Sequence, residues 1–293
     1  KVYGNVLKTI DAGGMRGNLV KRSVAAKQRL ARGQGGFGDS IFLAIIGRSI
    51  IGKIRAQLAS RVGANLEILI VGSAKADPEA LDFFHEVLDI TTYEGYGTTE
   101  CAPLIAANHM GGRKSGTVGR PLQEVKLVAE DGTELGYGDP LSGEYRSSRD
   151  RVGELWTSGP NVMRGYLNDP EQTQKVLVEE GDKIWYRTGD LFSIDDEGFL
   201  SFRGRVGRQF KLRNGEFVNP ELLERVFARV PLIEHVLVYG DQQRDYPLPL
   251  VTVDVEEAKK SGVEGLPLDD EKALRVHPGL GERIREGLLA EAA

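Results

Sequence analysis

The sequence predicts an α/β fold with a parallel sheet, an antiparallel β region and a small α+β region at its end. The first observation is a short, β-branched run at 66–71, which reads as a buried strand. A helix start near 77 and a strand-like run at 90–93 follow it, and the three segments together predict a βαβ unit. The second is residues 117–202, where short alternating runs separated by Gly, Asp and Asn predict antiparallel β structure, a small barrel or a sandwich. The third is a helix after 219 followed by two strand-like runs.

These changes in the residue pattern along the chain predict two domains. We expect residues 1–203 to form a large domain, with the β-barrel subdomain beginning at about 117, and residues 204–293 to form a small carboxyl-terminal domain. A chain of 293 residues can bury roughly 75% of its extended surface and can divide into two cores.

The composition excludes several classes of protein. No apolar run approaches the ~20 residues that a membrane-spanning helix needs. The single cysteine, Cys101, permits no internal disulfide, which fits a reducing, cytoplasmic compartment. The four histidines show no metal-ligand spacing.

Charge is unevenly distributed along the chain. Residues 1–66 hold 12 Lys and Arg against 2 Asp and Glu, whereas the remainder holds 26 against 41. A basic segment can face phosphates or an anionic membrane, so peripheral membrane association is one expectation. The alternative is a set of solvated faces, because residues 1–65 read as helical.

Three helix starts share one signature, in which an Asp or Asn is followed by Pro and Glu. The side chain of the first residue can cap the helix, Pro suits the first turn, and Glu favours the positive end of the helix dipole. The signature predicts helices after Asp77, Asp169 and Asn219.

The stretch from Tyr93 to Glu100 has the composition of a nucleotide loop. An aromatic ring can stack on a base, glycines let backbone N–H groups approach phosphates, and a carboxylate can hold Mg²⁺. Ligands bind beyond the carboxyl ends of parallel strands, where this stretch and the turn at Gly72 would both lie. The alternative is an ordinary tight turn with a capping Glu.

Three later positions carry polar groups suited to a nucleotide. Asp190 follows a tight turn and could accept both ribose hydroxyls, or could cap its own loop. Arg205 could reach a ribose or phosphate, or form a surface ion pair. Lys211 and the turn at Gly215 place a cation at the edge of the small domain.

In this order the motifs resemble the adenylate-forming superfamily of acyl-CoA synthetases, non-ribosomal adenylation domains and luciferases. The matching segments are 95–100, 153–167, 186–191 and 204–224. The last of them, with Lys211, Gly215 and Glu216, is most similar to long-chain fatty-acid–CoA ligases. The resemblance covers about residues 66–255, and it identifies 1–203 as the carboxyl half of an adenylation domain and 204–293 as an incomplete small domain.

The resemblance implies a role for each matching residue. Tyr96 would stack on adenine, Asp190 would bind the ribose with help from Arg205, Thr99 would contact a phosphate, and Glu100 would hold Mg²⁺. Lys211 and Glu100 would act with Thr99 as catalytic residues, and Trp156 and Tyr166 are interpreted as barrel core. The positions implied to bind the nucleotide or coenzyme are Gly72, Ser73, Ala74, Tyr96, Gly97, Asp190, Arg205 and Gly215.

The resemblance also implies a reaction in two steps. A fatty-acid carboxylate attacks the α-phosphate of ATP to give acyl-adenylate and pyrophosphate, and the thiol of coenzyme A then displaces AMP. We therefore expect a ligase that forms a carbon–sulfur bond and has no nucleic-acid partner. The alternatives are a fatty-acyl-AMP ligase, an acyl-carrier-protein synthetase, and a non-catalytic nucleotide-binding fragment.

This sequence departs from the family in two ways. It lacks the upstream Ser/Thr/Gly-rich loop that grips pyrophosphate and the lysine near the carboxyl terminus that contacts the adenylate. We therefore expect a middle-to-late piece of a longer enzyme, inactive without the remainder of its polypeptide. Gly207 stands where many members carry Asp or Lys, and it could still serve as a hinge.

Overall fold

The computed structural model of the chain describes residues 2–11, 13–72, 76–109, 112–267 and 269–292. Its contacts divide the chain into two compact units. The first unit comprises Lys1–Thr188 with Phe192–Phe202, and the second comprises Gly189–Leu191 with Arg203–Ala293. The predicted α/β class is confirmed, because helices and both parallel and antiparallel strands alternate along the chain.

The amino-terminal part of the first unit is helical, as its sequence predicts. One helix pair packs its apolar positions, including Val20 and Ile54, against the buried Phe83 and Val87. A single π-helical turn, Leu43–Gly47, joins two α-helices without a break. The helices are α1 (Val2–Asp11), α2 (Gly14–Ala31), α3 (Phe37–Phe42) and α4 (Arg48–Val62).

A four-stranded sheet follows, and it contains the predicted βαβ unit. Its first two strands pair in parallel, with Ile68 opposite Thr91, and the order is β1-β2-β3-β4. The prediction that the first strand is buried is wrong on one face, because β1 lies at the edge of the described sheet and leaves Ile68 and Ile70 52% and 75% exposed. The elements are β1 (Ile68–Val71), α5 (Pro78–Asp82), β2 (Thr91–Gly97), β3 (Leu104–Ala107) and β4 (Arg120–Pro121).

The second sheet of the first unit is antiparallel and open. Its main pairing order is β11-β10-β8-β5-β6-β7, with β9 beside β10. The predicted small barrel is therefore not confirmed among the described strands: alternation predicts antiparallel pairing but carries no information on whether the first and last strands meet. The strands are β5 (Glu124–Val128), β6 (Glu134–Asp139), β7 (Glu144–Arg146), β8 (Gly153–Ser158), β9 (Leu177–Glu180), β10 (Lys183–Ile194) and β11 (Leu200–Arg205), and α6 (Pro170–Val176) lies between β8 and β9.

One face of this sheet forms a core and the other carries charged and aromatic side chains. Leu127, Leu155 and Phe192 are almost fully buried on the core face. On the opposite face the ammonium of Lys126 lies 4.8 Å and 4.4 Å from the ring centroids of Trp156 and Trp185. Trp156 therefore belongs to this charged and aromatic face, and the interpretation of it as barrel core is wrong.

The three predicted helix starts are confirmed by their caps. The Asp77 carboxylate accepts a hydrogen bond from the backbone N–H of Glu79 at 3.1 Å. Asp169 accepts from Gln172 at 2.9 Å, and Asn219 accepts from Glu221 at 3.1 Å.

The second unit is a small α+β assembly with its own core. Val230, Val253, Leu274 and Leu280 are among its buried side chains. Within the part of the chain that the structure describes, no helix combines the length and apolar composition needed to cross a bilayer. The elements are β12 (Phe210–Lys211), β13 (Phe217–Val218), α7 (Pro220–Phe227), β14 (Ile233–Tyr239), β15 (Leu248–Val253), α8 (Val255–Lys260), α9 (Glu271–Arg275) and α10 (Pro278–Ala292).

Candidate functional site

The stretch from Tyr93 to Glu100 is mostly strand rather than loop. Strand β2 extends to Gly97, and a single 3₁₀ turn, Thr99–Cys101, follows it. Gly97 permits a close approach of the next strand, because a Cβ there would lie 1.7 Å from the carbonyl oxygen of Pro103. Glu100 is therefore presented just beyond the carboxyl end of a parallel strand, at the edge where ligands of such sheets bind.

Gly72, the residue directly after β1, lies beside β2. A Cβ at Gly72 would lie 3.6 Å from the carbonyl oxygen of Gly95, so the two backbones run close together at this edge. The predicted adenine-pocket residues Ser73 and Ala74 lie outside the described residues.

The ring of Tyr96 is anchored by the core of the second sheet. Its centroid lies 4.6 Å from that of Phe192, with an interplanar angle of 62°. Phe192 in turn contacts Phe202 edge-on at 5.4 Å. Such edge-to-face pairs are favourable beyond their buried area, so the Tyr96 ring has a defined orientation.

Glu100 is held by a segment that lies more than sixty residues further along the chain. The hydroxyl of Tyr166 donates a hydrogen bond to Glu100 Oε1 at 2.7 Å. The backbone N–H of Met163 donates to the Glu100 carbonyl oxygen, also at 2.7 Å. The amide of Asn161 donates to the carbonyl oxygen of Cys101 at 2.7 Å. The 3₁₀ turn is thus fixed by three contacts to one segment.

Two tyrosines at this position were missed by reasoning from sequence. Burial, reinforced by the hydrogen bond to Glu100, raises the pKa of Tyr166 to about 12. Burial and the nearby charge of Glu100 also raise the pKa of Tyr186 well above its ordinary value. Tyr166 does not belong to a closed barrel core, because the described strands of this sheet form an open order. Its place in the matching segment 153–167 marked it as part of a family motif but did not reveal its contact with Glu100.

The predicted ribose-binding pair meets within the second unit. Arg205 Nε lies 3.0 Å from Asp190 Oδ1. The Asp190 side chain is only 5% exposed, whereas that of Arg205 is 58% exposed. The backbone N–H of Val206 donates to the carbonyl oxygen of Gly189 at 2.8 Å, which joins the two segments. A buried carboxylate with an exposed guanidinium partner can accept hydroxyl donors from a sugar.

Lys211 and Gly215 lie on one short hairpin of the second unit. The Lys211 ammonium lies 5.4 Å from the centroid of the Phe217 ring on the paired strand. Gly215 adopts φ +88° and donates its N–H to Leu212 at 3.0 Å, a turn that a side chain would strain. Gly207 also has positive φ, +76°, with open space where a Cβ would be.

The carboxylate ligands that the described residues offer suit a metal cation that arrives together with phosphate groups. Among the described residues there is no cluster of three or more His, Cys, Asp or Glu side chains that could hold a metal ion. Mg²⁺ is commonly held by one or two carboxylates together with substrate phosphates and water. Glu100 supplies one such carboxylate, and no described residue donates to its Oε2 oxygen.

Fold and sequence together define the class of protein. The family of AMP-binding enzymes matches residues 29–167, the region that carries β1, β2, Glu100 and Tyr166. The chain belongs to this AMP-binding, adenylate-forming superfamily.

Its relatives include named fatty-acid ligases. The long-chain-fatty-acid–CoA ligase 6 of Mus musculus is 36% identical over 219 residues, 73% of this chain and 29% of that protein. The ligase 6 of Homo sapiens is 34% identical over 249 residues, 82% of this chain and 33% of that protein. The chain therefore spans about a third or less of the length of these relatives.

Solved structures show the same fold. The A domain of the carboxylic acid reductase from Segniliparus rugosus, in complex with AMP and a co-purified carboxylic acid, superposes with a TM-score of 0.57. The two are 27% identical, and the match covers 92% of this chain and 37% of that one.

Proposed function

We propose that this chain supplies the magnesium-binding and ribose-binding groups of an enzyme that activates a long-chain fatty acid with ATP and transfers it to coenzyme A. The observation that carries the proposal is Glu100, presented beyond the carboxyl end of β2 and fixed by Tyr166. Relatives at 32% to 36% identity named long-chain-fatty-acid–CoA ligases support the substrate class.

The predicted domains and residue roles enter this proposal together. Residues 1–203 are the carboxyl half of an adenylation domain, and residues 204–293 belong to a small carboxyl-terminal domain. Tyr96 stacks on adenine beside the Gly72 turn, with Ser73 and Ala74 next in the chain. Asp190 accepts the ribose hydroxyls and Arg205 orients it.

Charge stabilisation is the main chemical demand on such a site. A bound Mg²⁺ would neutralise charge on the ATP phosphates. Glu100 is the residue that would hold it, while Thr99 contacts a phosphate and the Lys211–Gly215 hairpin serves the transfer to coenzyme A. Because losing one electrostatic element costs about two to three orders of magnitude in rate, Glu100→Gln is expected to reduce adenylate formation by that factor.

Calorimetry with ATP·Mg²⁺ tests the nucleotide site directly. We expect the 293-residue chain to bind ATP·Mg²⁺ and Asp190→Ala to abolish the binding heat. Asp196→Ala is the matched control, because it removes an exposed carboxylate outside the candidate site. Equal loss in both variants, or no loss in either, would contradict the role of Asp190.

The acceptor separates the two catalytic versions of the proposal. A fatty-acyl-AMP ligase or acyl-carrier-protein synthetase would deliver the acyl group to another acceptor. Assays of the longer enzyme with coenzyme A and with carrier protein distinguish these outcomes, and we expect coenzyme A to be used.

A non-catalytic role is the second candidate. The absence from the sequence of the pyrophosphate-gripping loop and the carboxyl-terminal lysine favours it for the 293-residue chain alone. In that case the longer polypeptide would also bind ATP·Mg²⁺ without catalysing ATP–pyrophosphate exchange, whereas the leading proposal expects it to catalyse that exchange.

A further inference from the structure

Tyr166 is held rigidly by its own surroundings. Its backbone N–H donates to the hydroxyl of Thr173 in helix α6 at 2.9 Å. The Thr173 hydroxyl donates in turn to the carbonyl oxygen of Asp169, at 2.8 Å, and Asp169 caps the same helix. The preceding residue, Gly165, adopts φ +147°, and a Cβ there would lie 2.8 Å from the Thr173 side chain. The backbone of Tyr166 is therefore tied to the first turn of helix α6.

Glu100 is fixed at two points by the same segment. The Met163 N–H holds its carbonyl oxygen, and the Tyr166 hydroxyl holds Oε1. A free Glu side chain loses considerable rotamer entropy when it is ordered by a ligand, and prior ordering removes that cost. Oε2 is left as the carboxylate oxygen to which no described residue donates.

The contact between Tyr166 and Glu100 adds no positive charge to the site. The Tyr166 hydroxyl donates to Glu100 Oε1 at 2.7 Å, and a hydroxyl carries no formal positive charge. The attraction of the Glu100 carboxylate for a cation is therefore retained.

We propose that Tyr166 is a positioning residue that orients Glu100 so that Oε2 coordinates the Mg²⁺ arriving with a nucleotide. This inference rests on the proposed function, because it requires a nucleotide–magnesium complex as ligand. Residues that orient metal ligands typically contribute 10–100-fold to metal affinity. One hydrogen bond to a single carboxylate belongs at the lower end of that range.

The test is a Mg²⁺ titration of ATP binding to the whole 293-residue chain, measured by calorimetry. Mg²⁺ is expected to enhance ATP binding. We expect Tyr166→Phe to raise, roughly tenfold, the Mg²⁺ concentration at which this enhancement of ATP binding is half-maximal. ATP binding measured in excess EDTA should be unchanged, because the substitution leaves the nucleotide contacts intact.

A second Tyr–Glu pair provides the matched control. The Tyr137 hydroxyl donates to Glu124 Oε1 on the antiparallel sheet, outside the candidate site. Tyr137→Phe deletes the same kind of bond and should leave the Mg²⁺ dependence unchanged. In a Glu100→Gln background, Tyr166→Phe should cause no further shift.

The outcomes separate the inference from the function on which it rests. An unshifted Mg²⁺ midpoint in Tyr166→Phe overturns the positioning role, and so does an equal loss of ATP binding with and without Mg²⁺. If the unmodified chain binds no ATP under any condition, the proposed function fails, and the role of Tyr166 fails with it.

Discussion

Arg205 Nε and Asp190 Oδ1 lie 3.0 Å apart, and the two residues are the members of the candidate site that the second unit brings into contact. The carboxylate is buried and the guanidinium is half exposed. An ion pair of this kind is partly screened by water, so it contributes about 1 kcal/mol rather than the larger value of a fully buried pair.

A double-mutant cycle measures that contribution. Arg205→Met and Asp190→Asn should each lower the free energy of unfolding in urea. The double variant should lose about 1 kcal/mol less than the sum of the single variants, because either change already removes the pair. Strictly additive losses would show that the two side chains do not interact in solution.

Gly97 should be the most sensitive glycine of strand β2. Ala there would place a Cβ 1.7 Å from the Pro103 carbonyl oxygen, a backbone atom that only a shift of the strand can move. We expect Gly97→Ala to lower the free energy of unfolding by about 3 kcal/mol or more, measured by urea denaturation.

Gly52 provides the contrasting control. It is exposed in helix α4, and a Cβ there would meet nothing within 4 Å. Gly52→Ala should stabilise the protein by about 0.5–1 kcal/mol, because Ala has the higher helix propensity. A similar effect of the two substitutions would contradict the close approach at Gly97.

Asn219 is expected to contribute more than a helix cap. Its side-chain oxygen caps α7, and its amide donates to the carbonyl oxygen of Arg203 at 2.5 Å. Asn219→Ser keeps a cap but loses this donor, so it should cost about 1 kcal/mol, and Asn219→Ala should cost about 1 kcal/mol more. Thermal and urea unfolding measure both.

Asp169 is the comparison for Asn219. Its carboxylate caps α6 by accepting from Gln172. Asp169→Ser should therefore be nearly neutral. A loss equal to that of Asn219→Ser would show that the contact to Arg203 contributes nothing.

Cys101 should be unreactive in the folded protein. Its side chain is fully buried, and burial raises the pKa of the thiol to about 11. Thiol reagents at about pH 8 should modify it only in denaturant, since the thiolate is the reactive form. Rapid modification without denaturant would contradict the packing around the 3₁₀ turn.

The same thiol predicts a direction for alkaline stability. In the unfolded chain the thiol ionises near its ordinary pKa of 9.0, whereas in the folded chain it stays protonated to about 11. Stability should therefore be retained below pH 9 and should fall as the pH rises towards 11. Cys101→Ala should show a smaller fall over that interval.

Local features of this protein could be predicted from its sequence. The starts of α5, α6 and α7 depend on a capping side chain, a proline and the next few residues, so Asp77, Asp169 and Asn219 were sufficient. The parallel pairing of β1 and β2 followed from a strand, a turn and a helix in sequence.

Features that depend on distant residues could not be predicted. The contact between Tyr166 and Glu100 joins positions 66 residues apart, and an aromatic residue between glycine and leucine gives no sign of such a partner. The open edge of the second sheet depends on which strands pair last. The exposure of Ile70 depends on what covers β1, which its apolar pattern does not reveal.

The central claim is that this chain carries an acyl-adenylate site, and a stable mimic of the intermediate tests it most directly. Palmitoyl sulfamoyl adenosine carries the adenosine and the acyl chain of the intermediate, joined by an uncleavable sulfamate. Calorimetry of the 293-residue chain should show saturable binding that AMP displaces and that Asp190→Ala abolishes. Absence of binding, or binding that AMP leaves unchanged and Asp190→Ala retains, would contradict the account.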